Sequence, residues 1–202
     1  MRRSHLSFVL VSFILAAASP STTRAQWAAS AQIGAARFWG GSAERGSENR
    51  SFRPYRPTVF GVGVERADAK VGWGLRLYYA GSSLALEGPD ALAVVKGVLK
   101  VYGAVPEASV RVAPIGNGGQ LRAYAGPAAE IWSLGDGVSH FRVGVEAAVG
   151  LMVPLGRRLS GAIRVGATVI PTSPFGREDL DPAFDPRALW RREVGASLQY
   201  RL

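Results

Sequence analysis

The chain ends in Val194-Gly195-Ala196-Ser197-Leu198-Gln199-Tyr200-Arg201-Leu202. Val194, Ala196, Leu198, Tyr200 and Leu202 take alternate positions, and Gly195, Ser197, Gln199 and Arg201 take the others. A strand has a period of two, so the apolar side chains fall on one face and the glycine and polar residues on the other. No cap, turn or polar tail follows. A strand that stops flush with an apolar, aromatic face is expected as the last stave of a closed sheet whose apolar side meets lipid.

Seven earlier segments alternate in the same manner. The first, 26–38, sets Trp27, Ala29, Ala31, Ile33 and Ala35 against Ser30, Gln32 and Gly34. The second, 57–66, sets Phe60, Val62 and Val64 against Gly61, Gly63 and Glu65. The third, 70–80, sets Val71, Trp73, Leu75, Leu77 and Tyr79 against Gly72, Gly74, Arg76 and Tyr78. The fifth, 120–132, carries Arg122, Tyr124, Gly126, Ala128 and Glu130 on its polar face. The sixth, 141–155, is the most regular, with Phe141, Val143, Val145 and Leu151 against Arg142, Gly144, Glu146 and Gly150. The seventh, 160–170, opposes Ile163, Val165 and Val169 to Arg164, Gly166 and Thr168. The eighth runs over 191–202. The fourth, 97–112, is irregular: Leu99 and Val101 share one frame, Ala108, Val110 and Val112 the other. Pro106 between them reads as a bulge.

The connections alternate too. Residues 67–69, 114–119 and 156–158 are tight turns, the second marked by Gly116-Asn117-Gly118. Residues 39–56, 81–96, 133–140 and 171–190 are longer and more polar. Three tight turns at one end and four long loops at the other describe an all-β, eight-stranded antiparallel up-and-down transmembrane barrel. A soluble barrel needs the opposite sidedness. Its interior would have to take the bulky face, and eight strands enclose little room.

The N-terminus is consistent with export. Arg2 and Arg3 precede an apolar run from Leu6 to Ala18, and Thr23-Arg24-Ala25 fits a small-x-small cleavage site. The run is too short for a spanning helix of roughly 20 residues. The expected organisation is a cleaved signal peptide over 1–25 and a barrel domain over 26–202. The chain has no cysteine, which excludes disulfides, thiolate metal sites and a cysteine nucleophile. Its net charge of +9 is mostly arginine, scattered one or two per strand. Nucleic-acid binding needs a basic patch or stripe, and none is present. The 25 glycines suit a tight interior.

On these patterns the chain resembles the small outer-membrane barrels of Gram-negative bacteria, of the type of the OmpA transmembrane domain, OmpX and OmpW. The resemblance spans residues 26–202 and rests on alternation and the terminal strand. It implies outer-membrane residence, with both termini on the periplasmic side. It carries over no site residue.

Parity places charges of both signs inside: Glu65, Arg76, Arg122, Glu130, Arg142, Glu146, Arg164, Arg191, Glu193 and Arg201, with Lys100, Glu107 and Arg111 in the irregular fourth strand. Charges at membrane depth must be paired or hydrated. A network of Arg–Glu pairs filling the interior is expected ahead of an ion path. A channel built from these residues would prefer anions, given the arginine excess. Arg45, Arg50, Arg53 and Arg56 in the first long loop suit lipopolysaccharide phosphates by their fork geometry.

Catalytic signals are thin. His140 follows Ser139, but no nucleophile–base–acid set surrounds them in sequence. Gly61-Val62-Gly63 and Gly72-Trp73-Gly74 lie inside strands and are not phosphate loops. Glu178, Asp179, Asp181 and Asp185 lack an ordered calcium-loop pattern. The expectation is a monomer without enzymatic activity, cofactor or metal, in contact with outer-membrane lipid and lipopolysaccharide. Its role is structural, adhesive or membrane-maintaining. A narrow channel or small hydrophobic-solute conduit is the alternative, and a lipid-modifying enzyme the third reading.

Overall fold

The computed structural model describes residues 26–45, 51–67, 70–87, 92–116, 118–135, 138–176 and 182–202. The expected signal peptide lies outside them. Eight strands follow in order: β1 (Gln26–Glu44), β2 (Ser51–Ala67), β3 (Val71–Glu87), β4 (Leu92–Ile115), β5 (Gly119–Leu134), β6 (Val138–Pro154), β7 (Leu159–Ile170) and β8 (Phe184–Arg201). Each pairs antiparallel with its sequence neighbour, and β8 pairs with β1 to close the barrel. The terminal stretch is the closing stave: Ala29 faces Tyr200, Ala31 faces Leu198 and Ile33 faces Ala196. Closure leaves no unpaired edge, the condition for a sheet in lipid.

The apolar parity is on the outside. Val145 is 63% exposed, Leu198 55% and Leu75 41%. Trp27 meets Trp73 edge-on at 5.3 Å near the tight-turn end. Trp39 faces Trp190 across β1 and β8 toward the other end. Twelve residues separate Trp27 from Trp39, about 30 Å of height at the usual rise and tilt. An apolar band flanked by aromatic residues at about that spacing matches a lipid-facing belt. Arg at Leu75 or Val145 should therefore cost about 2–4 kcal/mol of folding stability in lipid vesicles, measured by urea unfolding. Arg at exposed Ser139, at the long-hairpin end, should cost much less. Equal tolerance at all three positions would contradict this sidedness.

The strands outrun their sequence boundaries at the long-loop end. Most of 39–56 and 81–96, and residues 184–190, are paired sheet. Register shifts fall where alternation fails: between Gly40 and Ser42, Tyr55 and Thr58, and Ser82 and Leu84. Each extra residue turns the following side chains to the opposite face, so the extensions lose their period-two pattern. Gly40 shows why glycine marks one of these points. Its φ is +79°, and a Cβ there would lie 2.2 Å from the Ala188 carbonyl oxygen.

Strand β4 corrects its sequence reading. Pairing runs unbroken past Pro106, so there is no bulge at that residue. One frame holds throughout: Leu99, Val101, Val105 and Ser109 are buried, while Lys100, Tyr102 and Val110 are exposed. Lys100 is therefore an outward residue, not an interior charge. The irregularity lies further on, between Arg111 and Ala113, and Arg111 is exposed there. Apolar residues on the inner face at the start of β4 caused the apparent change of frame.

Candidate functional site

Cross-strand rows set the interior. In one, Gly61, Tyr78, Gly103, Glu130 and Arg142 are successive partners from β2 to β6. The glycines make space for the large residues between them. A Cβ on Gly103 would lie 2.1 Å from the Tyr78 ring.

The charges meet in two linked groups. Glu146 accepts hydrogen bonds from Arg76, from Arg164 Nη2 at 2.9 Å, from Arg191 Nη2 at 3.2 Å and from Thr168 Oγ1 at 3.1 Å. Glu130 accepts from the Tyr78 hydroxyl, from Trp132 Nε1 at 2.8 Å and from Arg191 Nη1 at 2.9 Å. Arg191 joins the two carboxylates and lies against the Tyr78 ring at 4.6 Å. Arg164 also donates two bonds to Glu107, at 3.1 and 2.6 Å. Toward the tight turns, Arg122 donates to Ser109 Oγ at 2.7 Å, and Ser109 donates to Glu65 at 2.6 Å. Glu193 accepts from Gln32 at 2.7 Å and lies 3.8 Å from Arg76 and from Arg191.

Above the charges lies an apolar layer. Phe38, Val59, Ala80, Leu99, Val101, Trp132, Ile170 and Leu189 are all within 1% of full burial and form one cluster. On β2, β3, β4, β7 and β8 these residues lie nearer the long hairpins than the interior charge of the same strand. Phe38 and Trp132 pack edge-to-face at 5.6 Å. Beyond them, the segment after β7 bridges two strands. Ser173 donates to the Gly41 carbonyl at 2.7 Å, and its own carbonyl accepts from Arg142 Nε at 2.5 Å.

Of the interior residues expected from sequence, Glu65, Arg76, Arg122, Glu130, Glu146, Arg164, Arg191 and Glu193 come together, and Glu107 with them. Arg142 points the expected way, but it holds the Ser173 segment rather than its cross-strand partner Glu130. Arg201 is exposed at the tight-turn end, where β8 runs out. Parity marks Tyr78, Tyr124 and Thr168 as inward and leaves Trp132 unassigned at the end of its segment, and nothing in their spacing marks them as partners of charges. The enclosed layer holds four arginines (76, 122, 164, 191) and five glutamates (65, 107, 130, 146, 193) among the described residues. The expected arginine excess is thus absent at this level, and an ion path there would favour cations.

Among the described residues the first-loop arginines are held by different partners. Arg45 is held by Asp185 at 2.9 Å. Arg53 donates to the Phe38 carbonyl at 3.3 Å. Arg56 is exposed over the Tyr55 ring at 5.1 Å. Arg50 lies outside the described residues, as do Glu178, Asp179 and Asp181. Among the described residues no cluster of His, Asp and Glu is arranged to hold a metal ion.

Solved structures share this architecture. Neisserial surface protein A superposes with a TM-score of 0.61 at 8% identity, over 87% of this chain and 97% of that one. The chain has the fold of the small eight-stranded outer-membrane barrels. OprG, an outer-membrane protein of Pseudomonas aeruginosa, superposes with a TM-score of 0.53 at 10% identity, over 89% of this chain and 97% of that one. No family model and no curated protein matches the sequence.

Proposed function

We propose that this protein is a monomeric outer-membrane barrel with a closed interior, acting through its outer wall and long hairpins in a structural, adhesive or membrane-maintaining role. One observation carries this reading: buried side chains crowd the interior at two levels, first the Arg–Glu network and then the Phe38–Trp132 layer. Beside Glu146, Arg164, Thr168 and Glu193 there is a cavity of about 10 Å³, room for about one water molecule. Ions and solutes need a continuous path, and buried side chains crowd both layers among the described residues. The reading requires no catalytic group, cofactor or metal.

Planar-bilayer recording tests it. The purified native protein should give little or no steady conductance at moderate voltage. A large, stable single-channel current would replace this reading with the channel. Cation preference in such a current would assign the path to the glutamate-rich network.

A further inference from the structure

Arg37 and Arg192 take no part in the interior. They stand directly opposite each other on β1 and β8, on the outward face, next to the Trp39–Trp190 pair. Both are exposed. Both guanidiniums lie over the same indole, at 5.2 and 4.9 Å from the Trp39 ring. Among the described residues, neither has a hydrogen-bond or ion-pair partner. Like charges directly opposite on one sheet face repel. Sharing a ring holds both side chains in place but leaves their N–H edges free to donate.

The register fixes their level. Arg37 is ten residues along β1 from Trp27 and two short of Trp39, at the outer limit of the apolar belt. Arg56 on β2 lies two residues from Thr58, the partner of Ala35, within the register shift between Tyr55 and Thr58. It is also exposed, and its φ is +44°, a backbone state that favours glycine.

We propose that Arg37 and Arg192, seated on Trp39, bind the phosphomonoester of an outer-leaflet lipid headgroup. A phosphomonoester carries nearly two negative charges and three acceptor oxygens. Two guanidinium forks side by side match that better than the single charge of a zwitterionic phosphodiester. The aromatic pair is suited to the interface where headgroup and acyl chain meet. The site rests on the membrane-barrel reading for its depth, and it moves the expected lipid contact from the first loop to the barrel wall.

The test uses the full barrel folded into phosphatidylcholine bilayers. Bisphosphorylated lipid A, its dephosphorylated form and inorganic phosphate are offered in turn, and retained lipid is counted by native mass spectrometry. The wild type should retain the bisphosphorylated form about tenfold or more over the dephosphorylated one. Arg37→Gln/Arg192→Gln should lose that preference, while Lys100→Gln, also outward, should keep it. The heat-shifted gel band reports that each variant is folded. Preference retained in the double variant, or absent in an inserted wild type, overturns this site alone. Displacement by inorganic phosphate at equal concentration would assign the arginines to free anions and overturn the lipid. Failure of the wild type to insert would overturn the membrane reading with it.

Discussion

Glu146→Ala should cost about 3–5 kcal/mol of folding stability in lipid. Among the described residues Glu146 is the one carboxylate that three arginines share, and its side chain is 5% exposed. Truncation leaves Arg76, almost fully enclosed, with only Glu193 at 3.8 Å, while Arg191 keeps Glu130 at 2.9 Å. The penalty is chiefly that of uncompensated charge, which exceeds the net value of the pairs themselves. Arg164 is the least affected, because it keeps both bonds to Glu107. Glu146→Gln preserves the shape and one acceptor oxygen, so it should fall between wild type and Ala. Urea unfolding in vesicles, followed by the gel shift and by tryptophan emission, measures both variants. A loss below about 1 kcal/mol for Ala would mean that water hydrates these arginines freely, and the interior would then not be a dry network.

The middle of each strand was legible in the sequence because two environments meet there. Lipid on one side and a crowded lumen on the other impose period two, so Leu75, Val145 and Leu198 could be placed outward and Arg76, Glu146 and Arg164 inward. Two things broke the pattern. At the long-hairpin end the lumen itself becomes apolar, so Leu99 and Val101 resemble lipid-facing residues and throw β4 out of frame. The bulges at Gly40, Tyr55 and Ser82 then reverse the frame, and paired strand reads as loop. Alternation also carries no information about partners. It places Glu130 and Arg142 on the same face and in the same row, yet Glu130 is claimed by Arg191, Tyr78 and Trp132. Strand tilt and side-chain reach decide that choice, and both depend on the closed barrel. Arg37 and Arg192 are outward by the same parity. Only the register of β1 against β8, set by closure, brings them face to face.

Trp132→Ala should open the barrel where Glu146→Ala does not. Trp132 is fully buried, packs edge-to-face against Phe38, and donates its Nε1–H to Glu130 at 2.8 Å. Its removal should cost about 3–5 kcal/mol, as for other large buried aromatics. The cost has two parts that can be separated. Trp132→Phe keeps most of the volume and loses the bond to a carboxylate, worth about 1.5–3 kcal/mol. The remainder in Ala is lost packing and the cavity. The two layers predict different currents. A gap in the charged layer admits water, but the apolar layer above it still excludes ions, so Glu146→Ala should stay electrically quiet. A gap in the apolar layer leaves only polar groups that water can join, so Trp132→Ala should show brief openings in planar bilayers, and Phe38→Ala/Trp132→Ala longer ones. With five glutamates against four arginines beneath, those openings should prefer cations. Silence in the double variant, alongside current in Glu146→Ala, would assign the seal to the charges and reverse the order of the two layers.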